Sequence, residues 1–487
     1  MNNSKLLEVL RNLSTRAQHR FSEYVHAPFF NKHKPTILLL DFLMQYAPVF
    51  DLSSVGKEQV FYAIYPHKKF SDTQFNYIVS KLLELLSGFL AYQEYETQAF
   101  QQKSNALKAV HELGVPKQAA SHSRQHQLLQ KQYPFQTVDF YYQKYHYHTL
   151  LNQIHLDKKQ RLYDVHLQEQ NNQLDYFYIA QKLKIACDML SRNIVIQANY
   201  EAHYIKDLLS WLEAADFDKK QHPLIHVYYQ VLKTLQNSDD KAYQQLKVLI
   251  EDYGKLFLRE ELILLYDYAE NFCIRKINNG ITSYYKEFLT IYKQKLEKHL
   301  LLEDGYLPES DYKNIVTAGV RTKDYQWTET FIHKNKKKLR PEVQENAFNY
   351  NLAVFYYATQ QYSKALKLLM TILFTDISYG VGAKTIQLQI YYELQEMEPL
   401  INLVDTFRLY VMRHKTQSDY RKKANLNMLR IVKKVAKLKE KSTFMAEKQF
   451  EKERTKLQLL YAELSPLSNS DWIREIIEEL AQNASKY

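Results

Sequence analysis

Two histidine pairs, His122/His126 and His222/His226, stand four residues apart. On a helix that spacing puts both imidazoles on one face, as a divalent metal would require. Neither pair belongs to an HExxH motif, and neither has a Cys or carboxylate at ligand spacing. Solvated or hydrogen-bonded helix histidines are therefore expected, and the same holds for His146, His148, His155 and His166. The two cysteines, Cys187 and Cys273, sit in apolar stretches without CxxC spacing. They read as buried structural thiols in a reducing cytoplasm. The chain contains no GxSxG elbow and no GxxxxGK[ST] loop. Its single GxG, Gly380-Val381-Gly382, follows no strand and reads as a flexible link between helices. Carboxylate pairs such as Glu94/Glu96, Glu260/Glu261 and Glu478/Glu479 lie on polar helical stretches, where solvated faces or salt bridges are expected. No catalytic residue, metal or cofactor follows from these patterns, and the chain is expected not to be an enzyme.

The charge distribution says more. The net charge is +11, and the segment Arg413–Lys456 holds 15 Lys/Arg against 5 Asp/Glu, so the rest of the chain is close to neutral. That segment has neither Pro nor Gly, and helices are expected. Leu429, Val432, Val435, Ala436 and Leu438 make one apolar face, with Lys433, Lys434, Lys437 and Lys439 largely opposite. A basic amphipathic helix can meet nucleic-acid phosphates, an anionic membrane surface or an acidic protein, or can be a solvated structural face. Arg421, Lys422, Lys423, Lys433, Lys434 and Lys437 are the candidate contacts to an anionic partner. The run Phe140–His148 interleaves aromatics with cations, but its helical spacing directs much of it toward a core.

The elements that carry these residues are helices. Only 9 Gly and 11 Pro occur in 487 residues, too few for turn-rich β or phosphate-cradling folds. No apolar run is long enough to span a membrane, and the first residues lack the apolar stretch of a secretory signal. Near the start, helices are expected over about 4–12, from Ser14 to Val25, and from Pro35 to Tyr46. A fourth should open at Ser54 and close at Pro66, and Ser71 with Gln74 should cap a long fifth. Farther on, breaks are expected near Gly114, Pro134, Asn193, Pro223, Gly254, Gly280, Gly305 and Pro341.

Two resemblances follow. Phe21, Tyr24-Val25, Pro28-Phe29-Phe30-Asn31, Phe61, Tyr65-Pro66, Ser80-Lys81-Leu82 and Phe89-Leu90 resemble the opening of a bacterial family of helical proteins with no known activity. In the segment 346–376, Leu352, Ala353 and Tyr356 resemble the L-G-x-x-Y of a tetratricopeptide repeat, and Ala365 and Leu369 its A-x-x-x-F. Related units stand 37 residues earlier (Ile315, Gly319, Tyr325, Thr328, Ile332) and 35 or 36 later (Leu388, Tyr392, Met397, Leu400).

The expected fold is therefore all-α: an N-terminal helical module over 1–103, a tetratricopeptide-like superhelical array over 104–410, and a basic helical cap over 411–487. The resemblance implies a non-catalytic scaffold for a protein or peptide partner, with Asn351, Phe355 and Gln387 facing its groove. The alternative is a nucleic-acid-binding regulator that uses the basic helices of 413–456.

Overall fold

The computed structural model describes residues 4–157, 162–196, 198–214, 221–237, 239–372, 377–413 and 418–483. Every regular element among them is helical, and no helix among them is long and apolar enough to cross a membrane. The chain divides into two compact units, Met1–Ile185 with His203–His226, and Ala186–Ala202 with Val227–Tyr487.

The first unit opens with α1 (Lys5–Asn12), α2 (Thr15–His26), α3 (Lys34–Met44), α4 (Lys57–Ile64) and α5 (Asp72–Thr97). Ser14 and Ser71 act as N-caps, each hydroxyl accepting the N–H of the residue three ahead, Ala17 at 3.2 Å and Gln74 at 3.3 Å. The fourth helix starts after Gly56 instead of at Ser54. Leu10, Phe21, Leu39, Phe61, Ile78 and Phe89 from all five helices share one apolar cluster. Helices α6 (Ala99–Glu112), α7 (Pro116–Gln132) and α8 (Val138–Asp157) follow. Next come α9 (Val165–Ile196), α10 (Ile205–Ala214) and α11 (Pro223–Asn237). The break expected near Asn193 follows three residues later, where α9 ends at Ile196.

The second unit continues with α12 (Asp240–Tyr253), α13 (Arg259–Asn278), α14 (Tyr284–Glu297), α15 (Glu309–Arg321) and α16 (Tyr325–Asn335). After them come α17 (Gln344–Ala358), α18 (Tyr362–Leu369), α19 (Ile377–Glu393) and α20 (Met397–Arg413). The turns inside the pairs α15/α16, α17/α18 and α19/α20 are alike. Each places one residue in the left-handed region: Lys323, Gln360 and Gln395, at φ of 60°, 58° and 61°. Each then returns an N–H five residues back, from Asp324 to Gly319 (3.0 Å), Gln361 to Tyr356 (2.8 Å) and Glu396 to Tyr391 (2.8 Å). This is the Schellman closure of a helix C-terminus. The equivalent apolar positions Ile315, Leu352 and Leu388 are all buried, and so are Thr328, Ala365 and Leu400.

None of the three left-handed residues is glycine, and an L side chain is disfavoured there by about 1–2 kcal/mol. Replacing Lys323, Gln360 or Gln395 singly by Gly should therefore raise stability by about 0.5–1 kcal/mol, after glycine's extra unfolded-state entropy is deducted. Thermal midpoints compared with wild type would show it, and a uniform fall would contradict the turn geometry.

The Gly380-Val381-Gly382 segment lies within α19 and is not a link between helices. A Cβ on Gly380 would collide with Tyr410 of α20, and one on Gly382 with Tyr350 of α17. Gly319 is equally confined, against Thr328 of α16. These glycines let helices approach closely; flexibility is not their role.

Three helices close the chain: α21 (Asp419–Lys441), α22 (Glu447–Glu463) and α23 (Ser470–Asn483). As its apolar spacing predicts, α21 buries Leu429, Val432, Val435, Ala436 and Leu438. They join a cluster with Phe407 of α20, Phe450 of α22 and Ile473 of α23. With neighbours from three helices on its apolar side, α21 is a central helix of this cluster.

Candidate functional site

The buried side of α21 fixes which of its cations reach water. Arg421, Lys423, Arg430, Lys434, Lys437 and Lys441 are exposed. Lys423, Arg430, Lys434, Lys437 and Lys441 succeed one another at intervals of seven, four, three and four residues, which keeps them on one side of a helix. At 1.5 Å per residue the row is about 27 Å long. No ion pair involves any of the five among the described residues. A second row runs along α22, where Lys448, Lys452 and Lys456 are exposed. Lys456 pairs with Glu453 at 2.6 Å. The Glu453 carboxyl is held below its usual range first by that hydrogen bond to Lys456, with further pull from Lys434 and Lys452. Cations of both helices therefore act on one carboxylate.

Three of the other tail cations are committed. Lys433 pairs with Asp405 of α20. Lys439 donates to Glu479 of α23 at 2.9 Å and lies 4.2 Å above the Tyr392 ring, while the Tyr392 hydroxyl donates to the same carboxylate at 2.7 Å. Lys422 is half-buried, with its ammonium 3.4 Å from the Met412 carbonyl. Of the six cations expected to meet an anionic partner, Arg421, Lys423, Lys434 and Lys437 are exposed, and Lys433 is taken up by a carboxylate. Arg430 and Lys441 also belong to the row, beyond the six expected contacts. Their heptad-like spacing from Lys434 and Lys437 was the available signal.

The expected peptide groove fares differently. Asn351 and Phe355 are 0% and 3% exposed. Asn351 donates its side-chain N–H to the Ala347 carbonyl at 2.8 Å. Both are interior packing residues, because the side of α17 that carries them is covered by neighbouring helices, and only Gln387 remains half-buried.

Polar groups do gather elsewhere in this unit. Between α13, α14 and α15, the Lys295 ammonium is 2.6 Å from Glu270 and 3.1 Å from Asp267, and the Tyr292 hydroxyl donates to Asp311 at 3.1 Å. Burial pushes the Glu270 carboxyl up to about 7 against the opposing pull of Lys295, and it also raises Asp311. The side chains of Lys295 and Glu270 are only 5% and 10% exposed, whereas Asp267 reaches the surface, so the cluster cross-links the helices from a buried centre. A separate cleft of about 380 Å³ lies between α14 and α16, with Leu296, Trp327 and Phe331 in its wall and Lys293, Lys334 and Lys338 along it. Lys293 is already held by Asp324 at 2.8 Å and by the Trp327 ring at 4.4 Å.

The cysteines and the aromatic run are mostly packing groups. Cys187 and Cys273 are buried, and burial pushes the Cys273 thiol up to about 12, which leaves it a poor nucleophile. Phe140, Tyr141 and Tyr147 of the aromatic run are buried. Among the described residues, no group of three or more His, Cys, Asp or Glu is arranged to hold a metal ion.

Comparison with protein-family models, with curated proteins and with solved structures returns no match.

Proposed function

We propose that this chain is a non-catalytic helical-repeat scaffold that holds nucleic acid on the cationic side of α21. The observation behind this reading is the row Lys423, Arg430, Lys434, Lys437 and Lys441, exposed and in no ion pair among the described residues. Like charges three or four residues apart on a helix repel. A face that only needed to be wet would gain from interleaved carboxylates, as Lys456 gains from Glu453 on α22. A linear polyanion relieves the repulsion along the whole row, with release of its condensed counterions. The tetratricopeptide-like hairpins α15–α20 serve in this reading as the framework against which α21 is seated. A peptide groove has less support, since two of its three proposed residues are buried.

Fluorescence anisotropy with a labelled 20-mer, titrated against salt, tests the reading. Five phosphate contacts give a slope of log K against log salt of about −4.5 on duplex and about −3.5 on a single strand. Between 50 and 200 mM salt, affinity should thus fall by roughly 100- to 500-fold. Changing Lys423, Arg430, Lys434, Lys437 and Lys441 together to Glu should abolish binding and leave the helical circular-dichroism signal intact. Absence of binding by wild type at 50 mM salt, to DNA and RNA alike, would refute the proposal.

A further inference from the structure

The cationic row of α21 ends on an aromatic ring. Helix α21 passes directly into a 3₁₀ turn, Ser442–Phe444. In such a turn residues i and i+3 eclipse one another, so Phe444 stands in line with Lys441. The succession Arg430, Lys434, Lys437, Lys441, Phe444 thus continues along one side. Phe444 is 94% exposed, whereas its neighbour Met445 packs against the C-terminal core. The Ser442 hydroxyl donates to the Lys439 carbonyl at 2.7 Å, which ties the turn to the end of α21. The ring is consequently presented from an anchored turn, and Lys448 opens the second cationic row four residues beyond it.

We infer that the nucleic acid held by α21 is single-stranded, with Phe444 as the platform on which a base stacks at the end of the phosphate track. This rests on the reading of α21 given above. In a duplex every base face along the helix is already covered by its neighbours, so an exposed ring beside the backbone has nothing to stack on. A single strand offers free base faces, and a cationic track joined to an aromatic platform is the pairing that engages both of its parts. A lipid surface is the weaker fit. One exposed ring is a slight bilayer anchor, and the cations extend in a line away from the ring.

The test compares wild type, Phe444→Ala and Phe444→Trp on a 12-nucleotide oligothymidylate, a 12-base-pair duplex, and vesicles containing 30% phosphatidylserine. Phe444→Ala should weaken oligothymidylate binding by about 5- to 100-fold, with an unchanged salt slope and unchanged duplex binding. Phe444→Trp should retain affinity, and its indole emission should be quenched by the bound strand. Because Phe444 is exposed, neither change threatens folding. Salt-dependent binding to oligothymidylate that Phe444→Ala leaves untouched would overturn the stacking role while the reading of α21 stands. Equal loss on duplex and single strand would also overturn it. Absence of binding to either nucleic acid at 50 mM salt would remove the underlying reading itself. Vesicle binding lost in Phe444→Ala, without nucleic-acid binding, would assign the turn to a membrane surface and overturn both.

Discussion

Lys295→Met is expected to weaken the packing of α13, α14 and α15 by about 3–5 kcal/mol at pH 7, because it leaves the buried Glu270 carboxyl without its cation. Glu270 and Asp267 both lie within 3.1 Å of the Lys295 ammonium, and Asp311 shares its surroundings through Tyr292. Burial by itself would lower the Lys295 ammonium, but Glu270 and Asp267 together outweigh it and raise it. In the variant, the Glu270 and Asp311 carboxyls rise further above their unfolded values. Between those values and the folded ones the native state then binds more protons than the unfolded chain, so the variant's stability grows as pH falls. The deficit relative to wild type should therefore shrink from pH 7 to pH 5. Amide hydrogen exchange across 259–321 at both pH values reports it. A deficit that is small or independent of pH would show that the cluster is solvated and energetically idle.

The first unit should be acid-labile, and His126 is the main reason. Its ring is 0% exposed, lies flat on Tyr147 at 3.9 Å and 4°, and packs against Phe100 of α6 at 5.6 Å. Nδ1 is 3.3 Å from the Gln130 amide nitrogen, and Nε2 is buried with no hydrogen-bond partner among the described residues. Burial first, and the neighbouring His148 second, bring the imidazole down to about 4. His148 is itself lowered by burial and by His166, with Glu169 and Asp164 opposing. With a depressed folded value, the unfolded chain takes up the proton first. The stability is complete above about pH 6.5 and is lost as pH falls toward 4. For His126 alone that loss is about 3 kcal/mol. Exchange of the α6–α8 amides at pH 7 and pH 4.5 should show it, and His126→Phe should flatten it, since Phe has no proton to bind. An equal acid loss in His126→Phe would place the sensitivity elsewhere.

Much of the local structure was legible. Ser14 and Ser71 cap helices, Pro35 enters a first turn, and the apolar spacing of α21 matches its buried side, because these depend on residues within one or two turns. The errors share a different cause. The Gly380–Gly382 segment suggests a break by composition, yet it lies within α19, and the two glycines are confined by tyrosines of α17 and α20. Asn351 and Phe355 hold positions on α17 that a single helix leaves open and its neighbours cover. The cluster joins Lys295 of α14 to Asp267 and Glu270 of α13 and to Asp311 of α15, so no spacing within one helix announces it.

By itself, the sequence determined that the chain is helical, where its positive charge is concentrated, and which residues of α21 share a side. Those follow from a scarcity of glycine, from counting, and from the 3.6-residue period. Only the tertiary structure decided which cations are left over. Lys433 and Lys439 find Asp405 and Glu479, partners 28 and 40 residues away, whereas Lys434 and Lys437 enter no ion pair among the described residues. Helical periodicity assigns a residue to a side of its own helix. What meets that side is set by how distant helices pack.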